Sequence, residues 1–474
     1  MSETLKPDLC VIGAGSGGLS VTAAAAAMQV SVVLVEKNKM GGDCLNYGCV
    51  PSKALIAAGH AAQTMRGAQR FGLQPVEPRA NMAAVHDHVH GVITAIAPND
   101  SEERFTAMGV KVIRAAGKFV ARDTLEAGGF QIKARRFVIA TGSSASAPPI
   151  PGLDQVRYLT NETVFGLKEL PARLVVIGGG PIGLELAQAF RRLGCEVTVL
   201  EAARALSRED PELATVALTR LREEGVVIRE AVKIVRMEAR GAGARILLAA
   251  GEVEEPVDAS HVLIAAGRAP NVNNLGLEQA GVAFDKRGVK VDAGLRTSNR
   301  KIYAIGDVAG GAQFTHAANY HAGLVIRSAL FRLPVRIKAH LIPRVTYTDP
   351  EIAVAGLTEE QAKEQHKVVH VYRWPFAENE RAQAERETQG HIKVMTDRKG
   401  RVLGAGIAGP RAGELIMPWQ MAISKGMKIG EFASLVFPYP TLSEVSKRVA
   451  VTRLQKGLAN PWLPRILRFM RGFG

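Results

Sequence analysis

Cysteine is scarce in this 474-residue chain: it occurs only at positions 10, 44, 49 and 195. So few over such a length exclude a disulfide-stapled secreted framework, and a reducing compartment, the cytoplasm, is expected. Aromatic residues are also thin, at 5%, and no nucleic-acid motif accompanies the net charge of +15. That charge therefore reads as a general surface excess, with one local exception at the C-terminus. No uninterrupted apolar run reaches membrane-spanning length. No charged-then-apolar leader precedes the first strand-like run at Leu9, so no signal peptide is expected. What remains is 47% hydrophobic with 48 glycines. That composition suits an α/β protein of two to four domains.

The glycines are not scattered at random. Leu9-Cys10-Val11-Ile12 reads as a buried strand running into Gly13-Ala14-Gly15-Ser16-Gly17-Gly18, then an Ala-rich helix to about Gln29 and a strand Val32–Val35 ending at Glu36. In this context the glycines Gly13, Gly15 and Gly18 let the backbone approach a pyrophosphate at a helix N-terminus, and Glu36 is placed to accept from ribose hydroxyls. The pattern recurs. Leu174–Ile177 leads into Gly178-Gly179-Gly180-Pro181-Ile182-Gly183, a helix to about Leu193, and a strand ending at Glu201. The acid follows the first glycine by twenty-three residues in both copies. Gly178, Gly180, Gly183 and Glu201 thus form a second dinucleotide signature.

Directly after the first signature comes Gly41-Gly42-Asp43-Cys44-Leu45-Asn46-Tyr47-Gly48-Cys49-Val50-Pro51-Ser52-Lys53. In a regular helix, residues five apart lie roughly 8–9 Å from each other. A disulfide needs less than about 7 Å. If Cys44 and Cys49 bond, the backbone between them is not regular helix. Gly48 permits an irregular turn, and Pro51 suits the first position of a helix that runs on. The N-terminal end of that helix favours thiolate and makes a reactive pair. Half a zinc site is the bland reading, but Cys10 and Cys195 sit in apolar runs that read as strands, so four ligands do not assemble. Two unrelated buried thiols are the other. A histidine pair at i, i+4, His86 and His90, lies in a helical stretch from about Asn81 to Met108 and reads as a solvated or subunit-contacting face rather than a metal pair.

The thirteen-residue cysteine stretch resembles the redox motif of the pyridine-nucleotide disulfide oxidoreductases, which include dihydrolipoamide dehydrogenase, glutathione reductase and mercuric reductase. The resemblance covers Leu9 to about Ala450. It implies an α/β fold of two Rossmann-like dinucleotide-binding domains plus an α+β dimerisation domain. The divisions would be 1–150 for FAD, 151–270 for NAD(P), 271–340 for the rest of the FAD domain, and 341–474 for dimerisation with a basic tail. It implies FAD at the first signature and nicotinamide at the second. Further FAD contacts would come from Gly42, Lys53, Gly117, Thr141, Gly142, Ser143 and Asp307, with Gly267 marking re-entry to the FAD domain. A helix begun by Phe314–Ala318 would lie near the flavin. The resemblance makes Cys49 the flavin-proximal sulfur and Cys44 the interchange thiol. Lys53 and Glu185 would form a salt bridge beside the flavin. Glu201 suits a ribose 2′-OH and repels a 2′-phosphate, which favours NAD(H), although Arg204 lies near enough to soften that preference toward NADP(H).

The match departs at one place. Tyr439, in Phe437-Pro438-Tyr439-Pro440, stands where dihydrolipoamide dehydrogenase and glutathione reductase carry a proton-shuttling histidine oriented by the acid at Glu444. Tyrosine, with a pKa near 10, is a poor base at neutral pH, so disulfide exchange is expected to be slower unless His316 or another group substitutes. Tyrosine here is similar to mercuric reductase, as is Arg208–Glu212, yet no cysteine follows Cys195 to deliver a metal. Three readings follow: a homodimeric dithiol/disulfide oxidoreductase acting on a small-molecule or protein-bound thiol; a mercuric-reductase-like enzyme reducing a thiol-bound metal ion; and a non-catalytic flavoprotein docking through its tail. That tail, residues 448–474, mixes Arg, Lys and large apolar residues without an acid. It reads either as an amphipathic membrane-surface or partner-binding segment or as a terminal helix packed on the dimerisation domain.

Overall fold

The computed structural model describes residues 3–251, 253–458 and 462–473. Leu9–Ile12 is buried at every position because it has a strand on each side. It is the middle of a five-stranded parallel sheet ordered Ile302–Ala304, Arg136–Ile139, Leu9–Ile12, Val32–Val35, Lys111–Ile113. Side chains alternate across it. Cys10, Ile12, Val33 and Val35 enter one core, and Leu9, Val11, Val32 and Leu34 enter the other. An unbroken apolar run is what a parallel strand covered on both faces requires.

The second signature builds the same object. Arg173–Ile177 is the middle of a parallel sheet ordered Tyr158–Leu159, His261–Ile264, Arg173–Ile177, Glu196–Leu200, Val227–Arg229. In each sheet a three-stranded antiparallel meander precedes the strand that returns to the other side of the central one. The meander strands are Lys118–Ala121, Thr124–Ala127 and Phe130–Ile132 in the first, and Ile234–Arg240, Gly243–Ala250 and Val253–Ala259 in the second. The outer strands differ in origin. Ile302–Ala304 comes from beyond the second signature, so chain on both sides of the second sheet completes the first.

Residues 1–204 and 226–339 form one compact unit, and residues 205–225 and 340–474 form another. The second unit holds an antiparallel sheet ordered Arg344–Thr346, Glu351–Gly356, Val402–Gly409, His391–Asp397, Val369–Pro375. Its core includes Trp419 stacked on Phe432 at 4.2 Å, and Val445, Val449 and Ala450 of the helix Glu444–Leu458. The helix Pro211–Glu223, inside the stretch expected to bind nicotinamide, groups with this second unit. Its Leu213 lies over Gly406, where a Cβ would come within 2.4 Å of the leucine. Lys393, buried on its strand, reaches Asp210, Glu212 and Glu359 at 2.7, 2.8 and 2.7 Å.

The architecture is the expected α/β one, with two Rossmann-type regions and a separate C-terminal domain. Local readings shift in two places. The stretch from Asn81 to Met108 breaks into the helix Met82–Ile96, a 3₁₀ turn Ala97–Asp100 containing Pro98, and the helix Glu102–Ala107 capped by Ser101. Proline removes a backbone donor, and the serine hydroxyl restarts the helix by accepting from the Arg104 N–H at 3.2 Å. Cys195 lies in the turn ahead of Glu196–Leu200 rather than within the strand. His86 and His90 stack on each other, with ring centroids 3.9 Å apart. Among the described residues no helix is long and apolar enough to cross a membrane.

Candidate active site

Both glycine loops make the same turn for the same reason. Gly13 has φ +105° and Gly178 φ +114°, and a Cβ at either would sit 2.4 Å from a carbonyl oxygen, that of Ala140 or Ala265. Only glycine meets both demands. The acids then clamp the loops in matching fashion. Glu36 accepts from the N–H groups of Ala14 and Asn38, each at 2.6 Å. Glu201 accepts from Gly179 at 2.6 Å and Ala203 at 2.8 Å. A carboxylate has about four acceptor positions, so each acid keeps capacity for a ribose hydroxyl. The helices Ser16–Ala27 and Pro181–Arg192 begin at Gly15 and Gly180 with no side chain capping them. Uncapped first-turn N–H groups are what a phosphate group requires. A Cβ at Gly142, Gly180 or Gly267 would meet nothing, so room remains where a dinucleotide would lie. These features fit FAD and a nicotinamide nucleotide. Gly117 instead packs in the core against Val35 and Leu125.

The cysteine stretch is two helices with a break. Gly42–Asn46 ends at Tyr47, and Cys49–Arg66 begins at Cys49, two residues earlier than Pro51 suggests. The expected irregularity at Gly48 is present, with φ −121° and ψ −111°. Gly42 (φ +58°) lies so close to Gly15 that a Cβ would be 2.6 Å from its Cα, which sets the redox segment directly on the first dinucleotide loop. All four cysteines are free thiols, Cys44 half-buried and Cys49 exposed.

The pair is electrically unequal. The neighbouring Cys44 thiol brings Cys49 down to about 6, helped by the Thr315 hydroxyl and the Lys53 ammonium against the penalty of burial. The same closeness, with burial and the charge on Cys49, pushes Cys44 upward. Thr315 Oγ1 lies 3.4 Å from Cys49 Sγ. Lys53 Nζ meets Glu185 Oε2 at 2.8 Å, the glutamate side chain being only 7% exposed. The two meet because Gly59, on the helix of Lys53, lets that helix close on Ala189, on the helix of Glu185. A Cβ at Gly59 would stand 3.2 Å from the Ala189 backbone.

Thr141, Gly142 and Ser143 lie beside the Gly267 segment as an antiparallel ribbon, Ser143–Ala145 against Arg268–Pro270. Asp307 accepts from Ser143 Oγ at 2.6 Å, and burial raises its carboxyl. His321 Nδ1 accepts from the Gly306 N–H at 3.2 Å and holds the turn before Asp307. Arg268, Asn161 and Thr315 escape sequence reasoning as site residues. Arg268 donates to Ser143 Oγ at 2.8 Å and reaches Asp43, beside Cys44, at 3.2 Å. Asn161 donates to Asp43 Oδ1 at 3.1 Å and the Tyr47 carbonyl at 3.2 Å. No local signal marks these, because their partners lie more than a hundred residues away. Thr315 is legible only as the start of a helix near the flavin.

Cys44, Cys49, Lys53, Glu185 and Asp307 all lie in the first unit, whereas Tyr439 and Glu444 lie in the second. Tyr439 is 68% exposed. Glu444 is buried, and its Oε2 has no hydrogen-bond partner among the described residues. His316 stacks on Phe314 at 5.2 Å.

Two dinucleotide folds and a dithiol seated on the first of them define a flavin-dependent dithiol redox protein. Residues 7–322 match the pyridine nucleotide-disulphide oxidoreductase family, and residues 342–450 match that family's dimerisation domain. The chain is 36% identical over 448 residues to mercuric reductase from Bacillus cereus, covering 94% of this chain and 71% of the relative. It is 34% identical over 457 residues to dihydrolipoyl dehydrogenase from Geobacillus stearothermophilus, covering 95% and 97%. In structure it is similar to the Cu(II) complex of the HOCl-induced flavoprotein disulfide reductase RclA from Escherichia coli, with TM-score 0.83, 28% identity, and coverage of 93% and 99%. The chain belongs to the pyridine nucleotide-disulphide oxidoreductase family, and its activity class is FAD- and NAD(P)-dependent disulfide oxidoreduction.

Proposed function

We propose that this protein is a homodimeric oxidoreductase that moves electron pairs between NAD(H) and a thiol or disulfide substrate through Cys44 and Cys49. The dithiol segment seated on the first dinucleotide loop, with Thr315 against Cys49 and the Lys53–Glu185 pair one turn on, carries this reading. When bound, FAD relays the electron pair between nicotinamide and sulfur. Cys49, held toward thiolate by Lys53 and Thr315, is the sulfur that would exchange the pair with that group. Cys44 is the thiol that meets substrate. The Lys53–Glu185 pair keeps a fixed cation at this end of the site. Glu201 selects NAD(H) by repelling a 2′-phosphate.

With a disulfide substrate the exchange balances as follows. Cys44 gives its proton to Cys49 and attacks one substrate sulfur, and the other leaves as thiolate. The proton then passes from Cys49 to that thiolate. The Cys49 thiolate attacks the Cys44 sulfur, forms the intramolecular disulfide and expels the second substrate thiolate. The dithiol is oxidised by two electrons and the substrate is reduced by two. The first proton transfer runs uphill, because Cys49 is the more acidic sulfur. Tyr439 cannot assist it as a base.

Tyr439 favours a second reading, in which the acceptor is a thiol-bound soft metal ion: the Cys49 and Cys44 sulfurs displace its two thiolate ligands, and one of these takes the Cys44 proton as it leaves. Mercuric reductase similarity and the absence of histidine at this position support it. An NADH-coupled panel of lipoamide, a small aromatic disulfide, Hg(II)-bis-thiolate and Cu(II) separates the two. Cys44-dependent turnover with the disulfides supports the first reading, and turnover confined to the metals supports the second. No Cys44-dependent turnover with any acceptor refutes both.

A further inference from the structure

The family match ends at residue 450. Beyond it, Leu463–Met470 is helical and Arg471–Phe473 continues as a 3₁₀ turn. None of the described residues from 463 onward is buried. At about 100° per residue, Trp462, Ile466, Phe469, Met470, Phe473, Leu463 and Leu467 fall within an arc of roughly 160°. Arg465, Arg468 and Arg471 occupy the opposite side. The apolar side chains are exposed: Trp462 by 62%, Phe469 by 67% and Phe473 by 73%. Arg465 lies over the Trp462 ring, 4.8 Å from its centroid, at the seam between the two faces. Residues 445–474 contain seven Lys or Arg and no Asp or Glu.

We infer that residues 462–473 are an in-plane anchor for an anionic phospholipid surface. The apolar arc enters the acyl boundary, Trp462 sits at headgroup level, and the arginines extend to lipid phosphates. Charge decides the occupant. A second copy of the same segment brings no acid to pair with the arginines, whereas anionic headgroups neutralise all three. The segment is too short to span a bilayer, which needs about 20 residues. The protein would lie on the membrane rather than cross it.

The test uses full-length, flavin-loaded protein and sucrose-filled vesicles, either pure phosphatidylcholine or phosphatidylcholine with about one-third phosphatidylglycerol. The anchor predicts pelleting with the anionic vesicles at least about tenfold stronger than with the neutral ones. It also predicts a blue shift of Trp462 fluorescence. Truncation after Leu458 and the substitution Phe469→Glu should each abolish pelleting while flavin absorbance is unchanged. The triple change Arg465→Gln, Arg468→Gln, Arg471→Gln should weaken it about tenfold or more. Equal pelleting with both vesicle types, or pelleting that survives truncation, overturns the inference. So does a truncation that converts dimer to monomer by light scattering without any anionic-vesicle binding, which assigns the face to a second copy.

Discussion

Cys49 and Cys44 are neighbours, yet they are biased in opposite directions, and for Cys49 the Cys44 thiol, Thr315 and Lys53 set that bias. Cys49 should therefore remain reactive down to about pH 6. Site-resolved iodoacetamide labelling of reduced protein should find Cys49 modified first at that pH. Cys10 and Cys195 should stay unmodified, since burial raises both, Cys195 to about 12. Removing the cation in Lys53→Met, or the hydroxyl in Thr315→Val, should raise the pH at which Cys49 ionises. Labelling at pH 6 should then slow by about tenfold for every pH unit of that rise. Equal labelling in the variants would remove these groups from the site. A second prediction concerns Tyr439. Tyr439→His restores a base and gives the buried Glu444 carboxylate a donor, and lipoamide turnover should rise by at least about tenfold. An unchanged rate would place the limiting step elsewhere. Of these residues, Cys44, Cys49 and Lys53 stand together in one short stretch of sequence, and Glu185 was expected beside Lys53 only through the family resemblance. Arg268, Asn161 and the Thr315 contact were not legible, because each depends on the fold joining distant segments.

The helix Pro211–Glu223 shows how an element is held. Lys393 is nearly inaccessible and contacts three carboxylates, while Arg373 pairs with Glu212 at 2.6 Å. Lys393→Met would leave Asp210 without its cation, while Glu212 keeps Arg373 and Glu359 keeps Lys363, and is expected to cost roughly 3 kcal/mol. Urea unfolding followed through Trp419, in the same core, reads it. The Arg373 and Lys393 bonds hold the Glu212 carboxyl near 2. A carboxyl depressed in the folded state stabilises fully above its unfolded pKa of about 4.3 and loses that contribution as pH falls toward 2. The second unit should therefore weaken across that window, and Glu212→Gln should flatten the slope there. A slope identical in the variant would contradict the role given to this carboxyl. In the sequence only the approach to this helix, Arg208–Glu212, stands out, as a motif. Its grouping with the C-terminal unit was illegible, because charged residues at a helix start look the same whether solvated or paired.

Across the full chain, the duplicated signature was the most readable feature. Equal spacing from first glycine to acid marked two units of the same design, whereas the clamps that Glu36 and Glu201 place on their own loops were not readable from it. The meanders and the pairing of Ile302–Ala304 with Arg136–Ile139 were less readable, since short strands carry little pattern of their own. The tail was legible as amphipathic, but only the structure separates the packed helix Glu444–Leu458 from the exposed segment after it. Every functional role assigned above depends on the sulfur pair storing electrons taken from the nicotinamide. Anaerobic titration of the oxidised holoenzyme with NADH counts those electrons. The wild type should take up two equivalents per subunit, one for the flavin and one for the disulfide, and Cys49→Ser should take up one. Uptake of a single equivalent by both would mean that the sulfurs store nothing.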